Sequence, residues 1–324
     1  MRRRVFIGLA AGAAAWPLAV LAQEAKKPVR LAFLFFGSPS NTYDRSLVDA
    51  FRQGLRQAGL VENRDIVLDL IWVTDPEQAV REAIQRGDEI LIPCGSSASV
   101  AAKRHASTNP IVFISVGDPV GMGLVESLSR PGGNVTGFSD VLGELAGKLV
   151  EVDRELSKQE ATVDYLWHTN WPDGQNRFRM TEQAAHLLGV KLRSKGISDI
   201  AEANDAIAGM KKDGAMTLLI QPSPLTYGNR QRLIDLAMNH RLGTIFAFPV
   251  AAREGALIGY GPDYVHMYQR APFYVDRVLK GTKPADLAVQ LPTKVQLAVN
   301  LKTAKALGLE MPLSLLIRAD ELVE

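Results

Sequence analysis

The sequence predicts an α/β protein built as two doubly wound, parallel-sheet lobes joined by a multi-strand hinge. Three observations predict it. Short apolar, β-branched runs alternate with stretches of helical spacing from residue 28 onward. The alternation restarts near residue 140, as if a second unit began there. After residue 262 the rhythm breaks into a long helix and a Pro-rich extended stretch, which suits return crossings between the units. The expected lobes are 28–139 with 263–288, and 140–262 with 289–324, crossing near residues 139, 262 and 290.

In the first unit, Arg30–Phe36 reads as a buried strand and Tyr43–Ala58 as a helix with Leu47, Phe51 and Leu55 on one face. Ile66–Val73 is a strand. Asp75-Pro76, a good N-cap followed by a good first helical residue, opens a helix over Glu77–Arg86. Glu89–Pro93 is a strand and Ser96–Ala106 an Ala-rich helix. Ile111–Val116 is an apolar, β-branched strand, and Gly117-Asp118-Pro119 after it predicts another helix start. Arg130–Asn134 breaks the chain, and Val135–Phe138 is a short strand.

The second unit repeats the pattern. Helices are expected at 145–156, 176–188, 200–211, 229–239 and 251–254, and strands at 162–167, 190–196, 215–220, 244–248 and 256–260. In the tail, Tyr264–Lys280 reads as one helix, Pro284–Pro292 as extended, Val295–Val299 as a strand and Leu301–Leu307 as a helix closed by Gly308.

The chain has 324 residues, 47% hydrophobic and 22% charged, with a formal charge of +2. Residues 1–22 hold no acid and carry Arg2, Arg3 and Arg4 before an Ala- and Gly-rich apolar run, the make-up of a cleaved export signal ending at Ala22. Arg3-Arg4-Val5-Phe6-Ile7 also resembles the twin-arginine export motif. Without that segment 34 basic side chains face 35 acidic ones, so nothing favours a nucleic acid as partner. Cys94 is the only cysteine; it permits no intrachain disulfide and reads as a buried thiol. An exported chain with a large core and no disulfide suits a periplasm.

Loops at the carboxyl ends of strands are where such sheets bind ligands. In the first unit these hold Ser38, Ser96, Ser97 and Asp118; in the second, Trp167, Asn170, Gln221 and Tyr260. Gly95-Ser96-Ser97 precedes a helix, so its N–H groups suit a carboxylate, although Ser is also an ordinary cap. Asp118 reads equally as a cap or as a contact to a ligand cation. Trp167 and Trp171 flank a polar loop and read as core or as stacking platforms. The five histidines show no metal spacing, and there is no phosphate loop, no dinucleotide fingerprint and no G-x-S-x-G elbow. No cofactor or metal is expected, and no catalytic residue.

Val116-Gly117-Asp118-Pro119-Val120, Gly123-Leu124-Val125 and Arg130-Pro131-Gly132-Gly133-Asn134-Val135-Thr136-Gly137 resemble the signature of ABC-transporter substrate-binding proteins, in the group that includes binding proteins for aromatic amino acids. Gly259-Tyr260-Gly261, Tyr274–Gly281, Pro284–Leu287, Asn300–Leu309 and Arg318–Glu321 fit it too. The resemblance implies a type I periplasmic-binding fold, with Ser96, Ser97 and Asp118 as first-lobe ligand contacts. The loop Ile220–Pro224 departs from it by lacking an acidic residue. The function it implies is an exported monomer that captures a small polar or amino-acid-like ligand, aromatic amino acids first, and hands it to a membrane permease. The ligand carboxylate would rest on the N–H groups near Ser97 and the ammonium near Asp118. An exported sensing receptor is the second reading and a serine hydrolase the third.

Overall fold

A computed structural model describes residues 27–141, 145–157, 162–171 and 173–324. The expected export signal, residues 1–22, lies outside the described residues. No helix among the described residues is long and apolar enough to cross a membrane.

The first sheet has five strands, β1 (Val29–Phe35), β2 (Ile66–Trp72), β3 (Ile90–Pro93), β4 (Ile111–Val116) and β5 (Val135–Ser139), in the order β2-β1-β3-β4-β5. All its pairings are parallel. Helices α1 (Thr42–Gln57), α2 (Pro76–Gln85) and α3 (Ser96–His105) connect them. The interior of β1 and β4 is fully buried, as near-continuous apolar runs require when a sheet is covered on both faces. Asp75 caps α2 through the N–H groups of Glu77 and Gln78, with Pro76 in the first turn as expected.

The second sheet has seven strands: β6 (Thr162–His168), β7 (Lys191–Ile197), β8 (Thr217–Ile220), β9 (Gly243–Phe246), β10 (Ile258–Pro262), β11 (Val295–Asn300) and β12 (Glu321–Val323). Their order is β12-β11-β10-β9-β8-β6-β7, parallel except for the β10–β11 pair. Helices α4 (Ala146–Leu156) and α5 (Gly174–Leu187) flank its first strand. The chain leaves the first sheet after Ser139 and returns after Pro262. It then pairs Gln290 beside Phe138 of β5 before entering β11.

Two element readings are corrected, and two elements are added. No helix follows Gly117: residues 118–128 form turns, held by the Asp118 carboxylate accepting the N–H of Gly121 at 2.7 Å. The glycines at 121 and 123 disfavour propagation, and the short turn satisfies the cap locally. The expected helix over Tyr264–Lys280 is two helices, Tyr264–Arg270 and Pro272–Leu279, because Pro272 cannot donate to the turn before it. Past Gly308 the chain forms a further helix, Leu313–Arg318, and the edge strand β12, neither of which its apolar spacing announces.

Asp153 on α4 is buried against the second sheet. Thr217 Oγ1 donates to its Oδ1, while Oδ2 has no partner. Burial raises its pKa from 3.8 to about 7. The folded protein therefore holds a proton that the unfolded chain has released, so stability falls as pH rises from about 4 to about 7. Asp153→Asn should raise the unfolding free energy by about 4 kcal/mol at pH 8 and leave it unchanged below pH ~4. Thermal melts of both proteins at the two pH values check this; an equal shift at both would show that the buried charge is not its cause.

Candidate ligand-binding cleft

The carboxyl ends of the first-sheet strands face the second sheet across a cleft of about 700 Å³, open solvent at its mouth included. The strand order sorts its lining. On the β1 side lie Phe35, Phe36 and Leu47, opposite Tyr227 and Phe248. Tyr227 and Phe248 meet edge to face with centroids 4.9 Å apart, and Phe35 meets Tyr268 in the same way at 5.7 Å. On the β3–β5 side lie Ser96, Ser97, Ser115 and Asp140, opposite Trp171 and Arg177. One end of the cleft is an aromatic box and the other a cluster of donors and charges.

Each polar group has a local reason for its position. Gly95 takes φ +86°, a conformation that favours glycine, and begins α3 with no side-chain cap. The first-turn amides of this ten-residue helix therefore remain open to an acceptor in the cleft. Ser115 is a non-glycine residue at φ +64°, where the β4–β5 register slips between Ile114 and Val116. This bulge turns its hydroxyl to Asp140, donating to Oδ2 at 2.8 Å. Asp140 follows β5 and is only 3% exposed, so the strand end fixes a carboxylate at the floor of the cleft.

Arg177 comes from α5, in the second unit, and is 6% exposed. Its Nε donates to Asp173 Oδ2 at 2.6 Å, and its guanidinium lies 5.0 Å from the Trp171 ring centroid. It reaches across to Gly117, where any Cβ would overlap the guanidinium. Arg177 Nη1 has no hydrogen-bond partner, and neither does the hydroxyl of Tyr264, which is 7% exposed. Burial pushes the Tyr264 phenol well above its usual pKa, so it stays protonated. Burial likewise pushes the Cys94 thiol up, so the expected inert, buried cysteine is what the cleft wall contains.

Across the aromatic end, Tyr227 Oη donates to Asp44 Oδ1 at 2.7 Å. Arg230 Nη2 lies 3.5 Å from the same oxygen and also binds Glu254. Asp44 belongs to α1 and the other three residues to the second unit, so these contacts join the two sides over the cleft.

Residues 45–323 match the family described as ABC transporter substrate binding protein. The chain belongs to this family. A tyrosine-binding protein of Clostridioides difficile (strain R20291) is 28% identical over 222 residues, which is 68% of this chain and 63% of that protein; the match thus spans less than two thirds of that relative's length. A conserved domain protein of Vibrio cholerae has the same fold, with a TM-score of 0.82 at 24% identity over 91% of this chain and all of its own. So does an ABC domain from Streptococcus pneumonia in complex with L-Trp, with a TM-score of 0.82 at 19% identity over 91% and 100%. The fold is the type I periplasmic-binding architecture expected from the sequence.

Of the eight residues singled out from the sequence, the substrate-binding protein brings Ser96 and Ser97 to its cleft. The other six do not line it. The Ser38 hydroxyl bonds Ser40 at 2.7 Å, and the Ser38 N–H donates to Asp44. The Asp118 carboxylate is taken by the Gly121 amide. Trp167 packs on Phe178 at 4.8 Å, and Asn170 is exposed. Gln221 is fully buried, accepting from His168 N and donating to Gly174 O, which fixes the end of β6 to the start of α5. Tyr260 sits on β10 opposite Leu297. Asp140, Ser115, Arg177 and Tyr264 were not singled out, and Trp171 rather than Trp167 is the cleft indole.

Proposed function

We propose that this substrate-binding protein is the exported, monomeric capture component of an ABC uptake system and that it takes zwitterionic amino acids with an aromatic side chain. One observation carries the reading: the cleft separates a polar end, with free helix amides and a buried carboxylate, from an aromatic box. A free amino acid has that division. Its carboxylate meets the α3 amides, its ammonium meets Asp140, and its ring enters the box of Phe36, Tyr227 and Phe248. The tyrosine-binding relative supports the ligand class, and the Arg-rich N-terminus supports export, which cell fractionation checks. The expected lobes, 28–139 with 263–288 and 140–262 with 289–324, close on the ligand about the crossings, and the closed form docks on the permease without altering its cargo.

A thermal-shift screen tests this. L-tryptophan, L-tyrosine or L-phenylalanine at 100 times its Kd should stabilise the protein by about 2.7 kcal/mol, a rise of several degrees. Sugars and nucleosides should leave the melting point unchanged. A rise with a sugar and none with any amino acid would overturn the assignment.

A further inference from the structure

Arg177 Nη1 and the Tyr264 hydroxyl are both unpartnered, more than nine-tenths buried and part of the cleft lining. The contacts assigned above to an amino-acid ligand use neither atom. An unpaired buried donor is costly, and native interiors contain few. Two in one cleft, from opposite sides of it, point to an acceptor that arrives with the ligand.

Arg177 is built to wait for it. Asp173 holds its Nε side, the Trp171 face covers the guanidinium, and Gly117 provides the space into which it projects. Nη1 is left without a hydrogen-bond partner. The acceptor on offer at this end of an amino acid is the carboxylate, which the open first turn of α3 already attracts from the first-sheet side. The ammonium is excluded from Nη1 by like charge.

We propose that Arg177 is a specificity-determining residue that clamps the ligand carboxylate from the second unit, with Tyr264 as an accessory donor, so that the protein discriminates carboxylates from their amides. This role rests on the amino-acid ligand of the preceding subsection. The carboxylate then bonds both sides of the cleft at once, and its recognition and the closing of the cleft become one event. A primary amide placed there turns its NH2 group toward at least one donor and leaves that donor unpaired.

The test compares L-tryptophan with L-tryptophanamide, and L-tyrosine with L-tyrosinamide, by isothermal titration of the purified full chain. The wild-type protein should bind each acid about ten- to a hundredfold more tightly than its amide. Arg177→Gln alone strands the buried Asp173 carboxylate, so the Asp173→Asn/Arg177→Gln double variant is the informative one, and its ligand-free melt reports folding. There the preference for the acid should fall to within about threefold. Tyr264→Phe, which removes a single hydroxyl and keeps the ring, should reduce the preference partially. Wild-type binding of acid and amide with equal affinity overturns the clamp and leaves the amino-acid assignment standing. So does a folded double variant with undiminished preference. If no acid binds the wild-type protein, the assignment itself falls and takes the clamp with it.

Discussion

Asp44→Ala should weaken binding of L-tryptophan roughly a hundredfold while leaving the ligand-free melting point nearly unchanged. Asp44 is 2% exposed on α1, yet two of its partners, Tyr227 and Arg230, come from the second unit. Both are donors to a carboxylate, so each contact is of the charge-assisted kind. Their loss costs the closed arrangement about 3 kcal/mol in all. An open arrangement makes neither contact and loses only the Ser38 N–H bond, which water replaces. The difference therefore appears in the equilibrium between open and closed forms, and through it in affinity. Small-angle scattering should show a larger radius of gyration for the variant. The burial of Arg230 does not change this balance, because its bidentate partner Glu254 lies on its own side. Wild-type affinity in Asp44→Ala would mean that these bonds do not hold the cleft shut.

How much of this was legible before the structure depends on whether a residue's role is local. Strands and helices of the first unit follow from apolar period and capping, and both are written within a few residues. Ser96 and Ser97 were legible for the same reason: glycine, serine and an Ala-rich helix at a strand end define a helix start by themselves. Asp118 could be read two ways, as a cap or as a ligand contact, because two local roles compete for one carboxylate; the nearer N–H, that of Gly121, takes it. Ser115 could not be read, since it stands inside an apolar run and reaches the cleft only through a bulge and a positive φ. Arg177 looks like any solvated helix charge in Asn176-Arg177-Phe178-Arg179. It is buried because a glycine 60 positions earlier in the chain meets it from the opposite unit. The cleft residues missed from the sequence are those whose environment is made by the far side.

Asp140→Asn should abolish useful binding of L-tryptophan while sparing the same ligand without its amine. Asp140 is 3% exposed, and the Ser115 hydroxyl holds its Oδ2. Asparagine keeps the shape and can still accept that bond, so folding should change little. What disappears is the negative charge facing the ligand ammonium. Removing one partner of a buried, hydrogen-bonded charge pair costs about 2–5 kcal/mol, or roughly thirtyfold to several thousandfold in Kd. Indole-3-propionate retains the ring and the carboxylate and lacks the ammonium, so it separates this effect from a general loss of the site. Its affinity should hold or rise in the variant, because Asp140 also lies within the field that Arg177 feels. Anion binding at that guanidinium strengthens once the competing carboxylate is gone. Equal losses for both ligands would mean that Asp140 shapes the cleft without pairing with the amine. Unchanged L-tryptophan binding would move the ammonium away from the end of β5 altogether.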